Sequence, residues 1–229
     1  MTAVNHELET AQAEDVLRWV WARFGPKACV TSSFQTQSVP LLHMISRCAP
    51  EMPVLFLDTG FHFPETLAFR DQLVRDLGLN VLNLKNRLGH QEFRRRHGEL
   101  FRRDPDMCCF LNKVEPLDTA LKDYEAWVTG IRRDQTATRQ NAKVLQRLQS
   151  GTVKVAPMLN WTADDVATYM WVNELPEHPL GAQGYVSIGC APCTARPNQG
   201  DERSGRWAGS MKTECGIHTQ IGKPGGGKR

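Results

Sequence analysis

The sequence predicts an α/β protein built on a parallel β-sheet with helices on both faces. Short apolar, β-branched runs alternate along the chain with longer segments whose apolar residues recur at helical spacing. Hydrophobic residues make up 41% of the 229 residues, enough for a sizeable core. Strands that alternate with helices in this way are typical of parallel sheets, which bind ligands at the carboxyl ends of their strands.

The individual elements follow from local patterns. Runs rich in β-branched and apolar residues predict strands at 28–31, 54–57, 81–84, 127–129 and 153–155. Apolar residues at helical spacing predict helices over 16–24, 41–45, 64–77 and 162–170. Gly25-Pro26 ends the first helix, Pro64 begins the third, and Thr162 with Asp165 resembles a capping box at the start of the fourth.

Polar loops follow three of the predicted strands. Their sequences are Ser32-Ser33, Asp58-Thr59-Gly60 and Gly130-Ile131-Arg132-Arg133. The first loop opens a helix, where free backbone N–H groups can bind a phosphate, although an ordinary strand-to-helix loop has the same composition. It lacks the glycines and the aspartate of the Ser-Gly-Gly-x-Asp-Ser loop used by ATP pyrophosphatases, which argues against ATP cleavage.

Charge and hydropathy indicate the compartment of the protein and the kinds of partner that it binds. A net charge of +3 does not indicate wholesale nucleic-acid binding. The first fourteen residues are polar and acidic, with no signal-peptide core, and no apolar run is long enough to cross a membrane. We therefore expect a cytoplasmic protein that binds neither nucleic acid nor membrane. In a reducing compartment, closely spaced cysteines are ligands or catalysts more often than disulfides.

Four of the seven cysteines form two close pairs. Cys108 and Cys109 are adjacent, and Cys190 and Cys193 flank an Ala-Pro turn. Four thiolates suit a 4Fe-4S cluster or a zinc ion, and the adjacent pair favours the cluster, because mononuclear zinc more often uses two turns of the Cys-x-x-Cys type. Structural thiols placed together by chance are the remaining alternative.

A fifth cysteine, Cys215, stands alone in a polar, Gly-flanked segment. Lys212 and His218 are its neighbours in sequence and favour the thiolate, so we predict a nucleophile, with an unpaired surface thiol as the alternative. From residue 197 the composition shifts to Gly, Arg, Lys and Ser. We accordingly predict one domain over 1–196 and a flexible C-terminal arm over 197–229 that carries Cys215.

Several cations are candidates for an anion site. They are Lys113, Arg132, Arg133, Arg203 and Arg206. Guanidinium groups bind phosphate or sulfate through paired hydrogen bonds, whereas a single arginine is more often part of a solvated basic surface. Their number beside a candidate cluster and a lone thiol favours the anion site.

These residues together resemble the assimilatory sulfonucleotide reductases, and within them the cluster-bearing adenylyl-sulfate (APS) reductases. The matching motifs are Ser32-Ser33-Phe34, Leu57-Asp58-Thr59-Gly60-Phe61-His62-Phe63-Pro64-Glu65-Thr66, Cys108-Cys109 with Lys113-Val114-Glu115-Pro116-Leu117, Gly130-Ile131-Arg132-Arg133-Asp134-Gln135, Gly189-Cys190-Ala191-Pro192-Cys193-Thr194, Glu202-Arg203-Ser204-Gly205-Arg206-Trp207 and Lys212-Thr213-Glu214-Cys215-Gly216-Ile217-His218. Two stretches depart from the family pattern, Phe110-Leu111-Asn112 and Ala208-Gly209.

The resemblance implies an adenine-nucleotide α-hydrolase-like, PP-loop-type fold that binds adenosine 5′-phosphosulfate along the strand ends. The implied substrate-binding residues are Ser32, Ser33, Asp58, Gly60, Lys113, Arg132, Arg203, Arg206 and His218. It implies a 4Fe-4S cluster on the two cysteine pairs. It further implies that Cys215 attacks the sulfate sulfur and forms a cysteine S-sulfonate, from which thioredoxin or glutaredoxin releases sulfite.

Two alternatives to APS reduction stay open at this point. The substrate could be PAPS, which carries an additional 3′-phosphate, or both nucleotides could react. The chain could also be an iron–sulfur protein that binds a nucleotide without turnover, although Cys215 in its full motif argues against this. A homo-oligomer is equally compatible with the sequence.

Overall fold

A computed structural model describes residues 2–198, 204–207, 212 and 214–221. The strands of this part of the chain form one sheet, in the order β3-β2-β1-β4-β6-β5. Their bounds are β1 (Ala28–Thr31), β2 (Val54–Leu57), β3 (Val81–Leu84), β4 (Ala126–Thr129), β5 (Leu145–Arg147) and β6 (Val153–Val155). All neighbouring pairs are parallel except β5, which runs antiparallel to β6 at the edge. The predicted α/β class and its strands are confirmed, and β5 was not predicted.

Helices connect the strands and cover the sheet. The α-helices are α1 (Thr2–Leu8), α2 (Ala13–Phe24), α3 (Val39–Cys48), α4 (Pro64–Leu77), α5 (Gly89–His97), α6 (Leu100–Arg103), α7 (Pro105–Cys109), α8 (Glu115–Ala120) and α9 (Ala163–Val172). The predicted capping box is present, since Thr162 and Asp165 exchange hydrogen bonds at the start of α9. The helices between 89 and 120 were not predicted.

The two faces of the sheet bury different sets of side chains, because successive strand residues point to opposite faces. Ala28 and Val30 pack into the larger core with α2 and α3, whereas Cys29 lies on the other face. There it packs with Trp127 and with Leu117 of α8. None of the helices in the described part of the chain is long and apolar enough to span a membrane.

The strand order creates a crevice at the carboxyl end of the sheet. From β1 the chain adds β2 and β3 on one side, and it later adds β4 on the other. Thr31 and Thr129 are register partners, so the loops that follow β1 and β4 leave the sheet side by side. A point where the strand order reverses in this way is where doubly wound sheets bind their ligands.

Candidate active site

A cavity of about 1020 Å³, including its open mouth, lies at this reversal point. We call it the switch-point cavity. Its floor is formed by the ends of β1, β2 and β4, including Ser32, Leu57 and Gly130. Apolar side chains such as Phe56 and Ile131 line part of it, and the rest of the wall combines neutral polar groups with cationic side chains. This combination suits a ligand with a flat apolar part and an anionic part.

The structure brings many of the predicted site residues to this cavity. Those on its wall are Ser32, Ser33, Lys113, Arg206, Cys215 and His218. The Ser32 hydroxyl also accepts a hydrogen bond from the backbone N–H of Phe34 (3.1 Å), a residue held at φ 53° with its side chain fully buried. The first loop is therefore shaped by its own hydroxyl group as well as by the sheet.

Arg206 reaches the cavity from a short antiparallel bridge between the predicted arm and the cysteine turn. Its backbone pairs with Thr194, and its guanidinium donates to the backbone carbonyl of Ile188 (3.2 Å). The same guanidinium lies over Gly189, where a Cβ atom would clash with Nη2 of Arg206. Glycine at 189 thus lets Arg206 cross the chain towards the ligand space. Arg203, also predicted, lies outside the described residues.

Asp58 and Gly60 do not line the switch-point cavity. The Asp58 carboxylate lies 3.4 Å from Nε2 of His90 and 3.8 Å from Nζ of Lys85. The carbonyl of Gly60 accepts a hydrogen bond of 2.6 Å from Arg94 of α5. Both residues hold α5 against the loop after β2. In this structure they support the loops around the cavity and do not face the ligand space.

Gly60 should be intolerant of a side chain. It has φ +72°, and a Cβ atom would lie 2.5 Å from Cγ of His90. Gly78 is a matched control, because it has φ +64° and nothing within 4 Å of its Cβ position. We expect Gly60→Ala to lower the free energy of unfolding by about 1–3 kcal/mol more than Gly78→Ala, measured by urea denaturation. Equal losses would show that His90 moves aside freely.

Arg132 is likewise turned away from the cavity. Its side chain is only 2% exposed and donates to Asp134 (3.0 and 3.2 Å) and to the Gln37 side-chain oxygen (3.1 Å). These contacts tie the loop after β4 to the loop after β1. A guanidinium that the sequence analysis did not identify, Arg139, lies on the cavity wall instead.

Arg139 also fixes the segment that carries Cys215. It forms an ion pair of 2.8 Å with Glu214, and both side chains are about 10% exposed. The Thr136 hydroxyl donates to the same carboxylate at 3.3 Å. Four residues after Glu214, the ring of His218 stacks on Trp127, with centroids 5.7 Å apart and planes 9° apart. Ile221 is buried beside Trp127, so this part of the predicted arm packs on the sheet.

His62 also lies on the wall of the switch-point cavity, although the sequence analysis assigned it no role in the site. Its Nε2 lies 2.9 Å from the Leu57 carbonyl, and its ring lies against Phe56, with centroids 4.7 Å apart. Burial lowers the pKa of His62 to about 4, although the hydrogen bond to Leu57 opposes this. The imidazole is therefore neutral at pH 7 and donates its Nε2 proton to the backbone.

A separate, smaller cavity is lined by all four paired cysteines, Cys108, Cys109, Cys190 and Cys193. We call it the cysteine cavity. Burial, together with Cys109, Cys190 and Cys193, raises the pKa of Cys108 to about 12. Four thiols so close together need a cationic group to become thiolates. Among the described residues, no three His, Cys, Asp or Glu side chains are arranged to hold a single metal ion.

Local structure explains how the two cysteine pairs meet. Asp104 caps α7 by accepting from the Met107 N–H (2.8 Å), and the short helix presents Cys108 and Cys109 at its end. A π-helical segment, Phe110–Val114, follows and continues into α8; such segments are frequent at functional sites. On the other side, the backbone of Cys190 forms a bridge to His62 after β2.

Polar groups surround the sulfur atoms. The Thr59 hydroxyl lies 3.3 Å from Cys190 Sγ, and the Asn112 amide nitrogen lies 3.7 Å from Cys108 Sγ. Asn112 is in turn held by Asn86 (2.8 Å). A donor set of four thiols with nearby hydrogen-bond donors fits an iron–sulfur cluster, whose properties depend on such bonds to sulfur.

Lys113 lies on the walls of both cavities. Burial works against its charge, but the sulfur atoms of Cys190, Cys109 and Cys215 outweigh burial and raise the pKa of the ammonium. A fixed positive charge therefore stands between the cysteine cavity and the space that Cys215 faces.

Comparison with known proteins agrees with this geometry. Residues 27–196 match the phosphoadenosine phosphosulfate reductase domain. An adenosine 5′-phosphosulfate reductase from Streptomyces coelicolor is 46% identical over 215 residues, which cover 93% of this chain and 90% of that protein. One from Rhodococcus erythropolis is 42% identical over 223 residues, with the same two coverages of 93% and 90%.

A crystal structure shows the same fold. The phosphoadenylyl-sulfate (PAPS) reductase of Candida auris, solved as a phosphate complex, superposes with a TM-score of 0.75 at 30% identity, over 85% of this chain and 95% of that one. The PP-loop-type fold implied by the sequence motifs is thereby confirmed. The chain belongs to the phosphoadenosine phosphosulfate reductase family.

Proposed function

We propose that this protein reduces adenosine 5′-phosphosulfate to sulfite and AMP. The observation that carries the proposal is the position of Cys215 on the wall of the switch-point cavity, together with Lys113 and Arg206. A thiol that can act as nucleophile thus shares one ligand space with cations suited to a phosphosulfate group. Relatives that are 42% and 46% identical bear the name of this activity.

The first step is the transfer of the sulfonate group. The Cys215 thiolate attacks the sulfur atom of the sulfate group and forms an S–S bond, while the bond from that sulfur to the bridging oxygen breaks. AMP leaves with the electron pair of the broken bond. The ammonium of Lys113 and the guanidinium of Arg206 stabilise the negative charge that develops on the departing phosphate.

The second step regenerates the thiol. A thiolate of thioredoxin or glutaredoxin attacks Cys215 Sγ, and sulfite leaves with the electron pair of the S–S bond. The second thiol of the partner then resolves the mixed disulfide, so the partner supplies both electrons. Such dithiol partners are kept reduced in the cytoplasm, where we place the reaction.

Cys108, Cys109, Cys190 and Cys193 would hold a 4Fe-4S cluster. A cluster held there would supply a cross-link between separate chain segments and an electrostatic field, and it need not change its oxidation state. Lys113 lines both cavities, so its ammonium lies between the residues that would hold the cluster and the residues that would react.

The test is sulfite release on protein purified without oxygen. We expect turnover of adenosine 5′-phosphosulfate with thioredoxin as donor. Parallel reactions with PAPS measure the preference between the two nucleotides, and reactions with glutaredoxin identify the donor. If neither nucleotide gives sulfite with either donor, the proposed activity is wrong for this chain.

Arg206 tests the anion subsite. Arg206→Ala removes a charge-assisted contact worth roughly 1.5–3 kcal/mol, so we expect about ten-fold or more weaker binding of adenosine 5′-phosphosulfate by calorimetry. Arg206→Lys should restore only part of the affinity, because an ammonium lacks the planar two-point contact. The control is Arg196→Ala, since Arg196 is exposed and lies over Tyr185 outside the cavity. Equal affinity in the Arg206 and Arg196 variants would assign Arg206 to the surface.

A further inference from the structure

A buried lysine lies on the sheet next to the switch-point cavity. Lys154 is the central residue of β6 and the register partner of Trp127 on β4. It is only 6% exposed, and its ammonium lies 5.2 Å from the centroid of the Trp127 ring. Within the described part of the chain, no carboxylate or hydrogen-bond acceptor pairs with this ammonium. Burial of an ammonium that makes no direct ion pair or hydrogen bond is costly, so its presence requires an explanation.

Lys154 also lines a second cavity, of about 960 Å³ including its mouth. We call it the basic cavity. Arg139, Lys143 and His218 lie on its wall with Lys154. Glu214 is the carboxylate found among its described lining residues, and Arg139 already holds it in an ion pair. The cavity therefore has an excess of positive charge.

The other lining residues include four neutral polar side chains, those of Thr138, Asn141, Gln146 and Thr219. The amide groups of Asn141 and Gln146 can donate hydrogen bonds to a ligand. Burial, with Arg139 nearby, lowers the pKa of Lys154 to about 8, although the Glu214 carboxylate opposes this. A compact anion with several acceptor oxygens would satisfy both the charge and the donors.

We propose that the basic cavity is a second anion site, which binds a phosphate- or sulfate-type oxyanion at Lys154. The proposal rests on the proposed function for the identity of the neighbouring nucleotide. The two cavities share Ile131, Arg139, Glu214 and His218 on their walls. The oxyanion can therefore be a free ion, or a phosphate on the 3′-position of a nucleotide that extends from one cavity into the other.

The site also joins the sheet to the segment that carries Cys215. Lys154 is on the sheet, whereas Glu214, His218 and Thr219 belong to that segment. An oxyanion bound between them adds contacts to the segment in its docked position. Occupation of the basic cavity is thus coupled to the placement of the nucleophile.

Calorimetry with inorganic sulfate tests the site on the anaerobically purified protein saturated with AMP. We expect wild-type protein to bind sulfate, and Lys154→Met to bind it about ten-fold or more weakly, with AMP affinity unchanged within about two-fold. Lys143→Met, at an exposed lining residue, should weaken sulfate binding by a few-fold without endangering the fold. Lys122→Met, at an exposed residue outside the lining, is the control and should bind sulfate as wild type does.

Adenosine 3′,5′-bisphosphate separates the two sources of the oxyanion. If the 3′-phosphate enters the basic cavity, the bisphosphate binds wild-type protein more tightly than AMP, and Lys154→Met abolishes that advantage. If the site takes a free ion, sulfate binds beside AMP and the bisphosphate has no Lys154-dependent advantage. The proposal is overturned if neither sulfate nor the 3′-phosphate depends on Lys154 and Lys143, or if AMP excludes sulfate completely. Failure of AMP to bind wild-type protein would instead contradict the proposed function.

Discussion

Replacement of Cys215 by serine should abolish AMP and sulfite release from adenosine 5′-phosphosulfate while leaving nucleotide binding intact. A serine hydroxyl is almost wholly protonated at neutral pH and is a far weaker nucleophile than a thiolate. The cations proposed to bind the anion, Lys113 and Arg206, stay on the cavity wall in this variant, and Cys190 and Cys109 still support the charge of Lys113 when the Cys215 sulfur is gone. Binding and catalysis should therefore separate cleanly in this variant.

The intermediate provides a direct measurement. Incubated with adenosine 5′-phosphosulfate and no thiol donor, wild-type protein should gain one sulfonate group and release one AMP per chain. Mass spectrometry of the intact chain and of its C-terminal peptides locates the sulfonate on Cys215. Cys48→Ser is the matched control, because Cys48 is a half-buried thiol at the end of α3, outside both cavities. Sulfite production by Cys215→Ser at a comparable rate would exclude the covalent mechanism.

Many of the strands and helices that surround this site could be predicted from local sequence. The central parallel strands β1, β2 and β4 are short apolar runs that are mostly buried, and such runs can be recognised without tertiary information. Helix α5 was missed because its sequence is mainly charged and only Phe93 is buried. Strand β5 has three residues, of which only Leu145 is buried, so it shows no strand periodicity.

Parallel sheets bind ligands at the carboxyl ends of their strands, and this tendency correctly predicts where the switch-point cavity lies. It does not predict every side chain on the cavity wall. Ser32 and Gly130 follow β1 and β4 and lie where this tendency places them. Arg132 follows in the same loop, two residues after Gly130, yet its guanidinium turns to Asp134 and Gln37. The direction of a long side chain depends on partners distant in sequence, such as Gln37, which a local pattern does not contain. Arg139 lies further along this loop, and only its ion pair with Glu214 reveals its position.

The cysteine pairs make the strongest prediction about composition. Anaerobically purified protein should be brown and contain about four irons and four sulfides per chain, the content of a cubane held by four cysteines. Iron and acid-labile sulfide assays with visible absorption spectra measure this. One zinc per chain without labile sulfide would contradict the cluster.

Removal of a single ligand should cost both iron and stability. Cys108→Ala breaks the link between α7 and the Cys190–Cys193 turn, segments distant in sequence that meet at the cysteine cavity. We expect iron to fall towards zero. Loss of a link between distant segments costs about 3 kcal/mol, which lowers Tm by about 6–12 °C in a chain of this length.

Cys29→Ala is the matched control for this loss, because Cys29 is a fully buried thiol that packs with Trp127 and lies outside the cysteine cavity. Its replacement removes buried sulfur and should lower Tm, but iron and sulfide should stay at the wild-type level. The comparison separates the loss of a ligand from the loss of packing. If Cys29→Ala and Cys108→Ala lose iron equally, iron loss reports general destabilisation of the fold. If only Cys108→Ala loses it, the sulfur of Cys108 binds the metal.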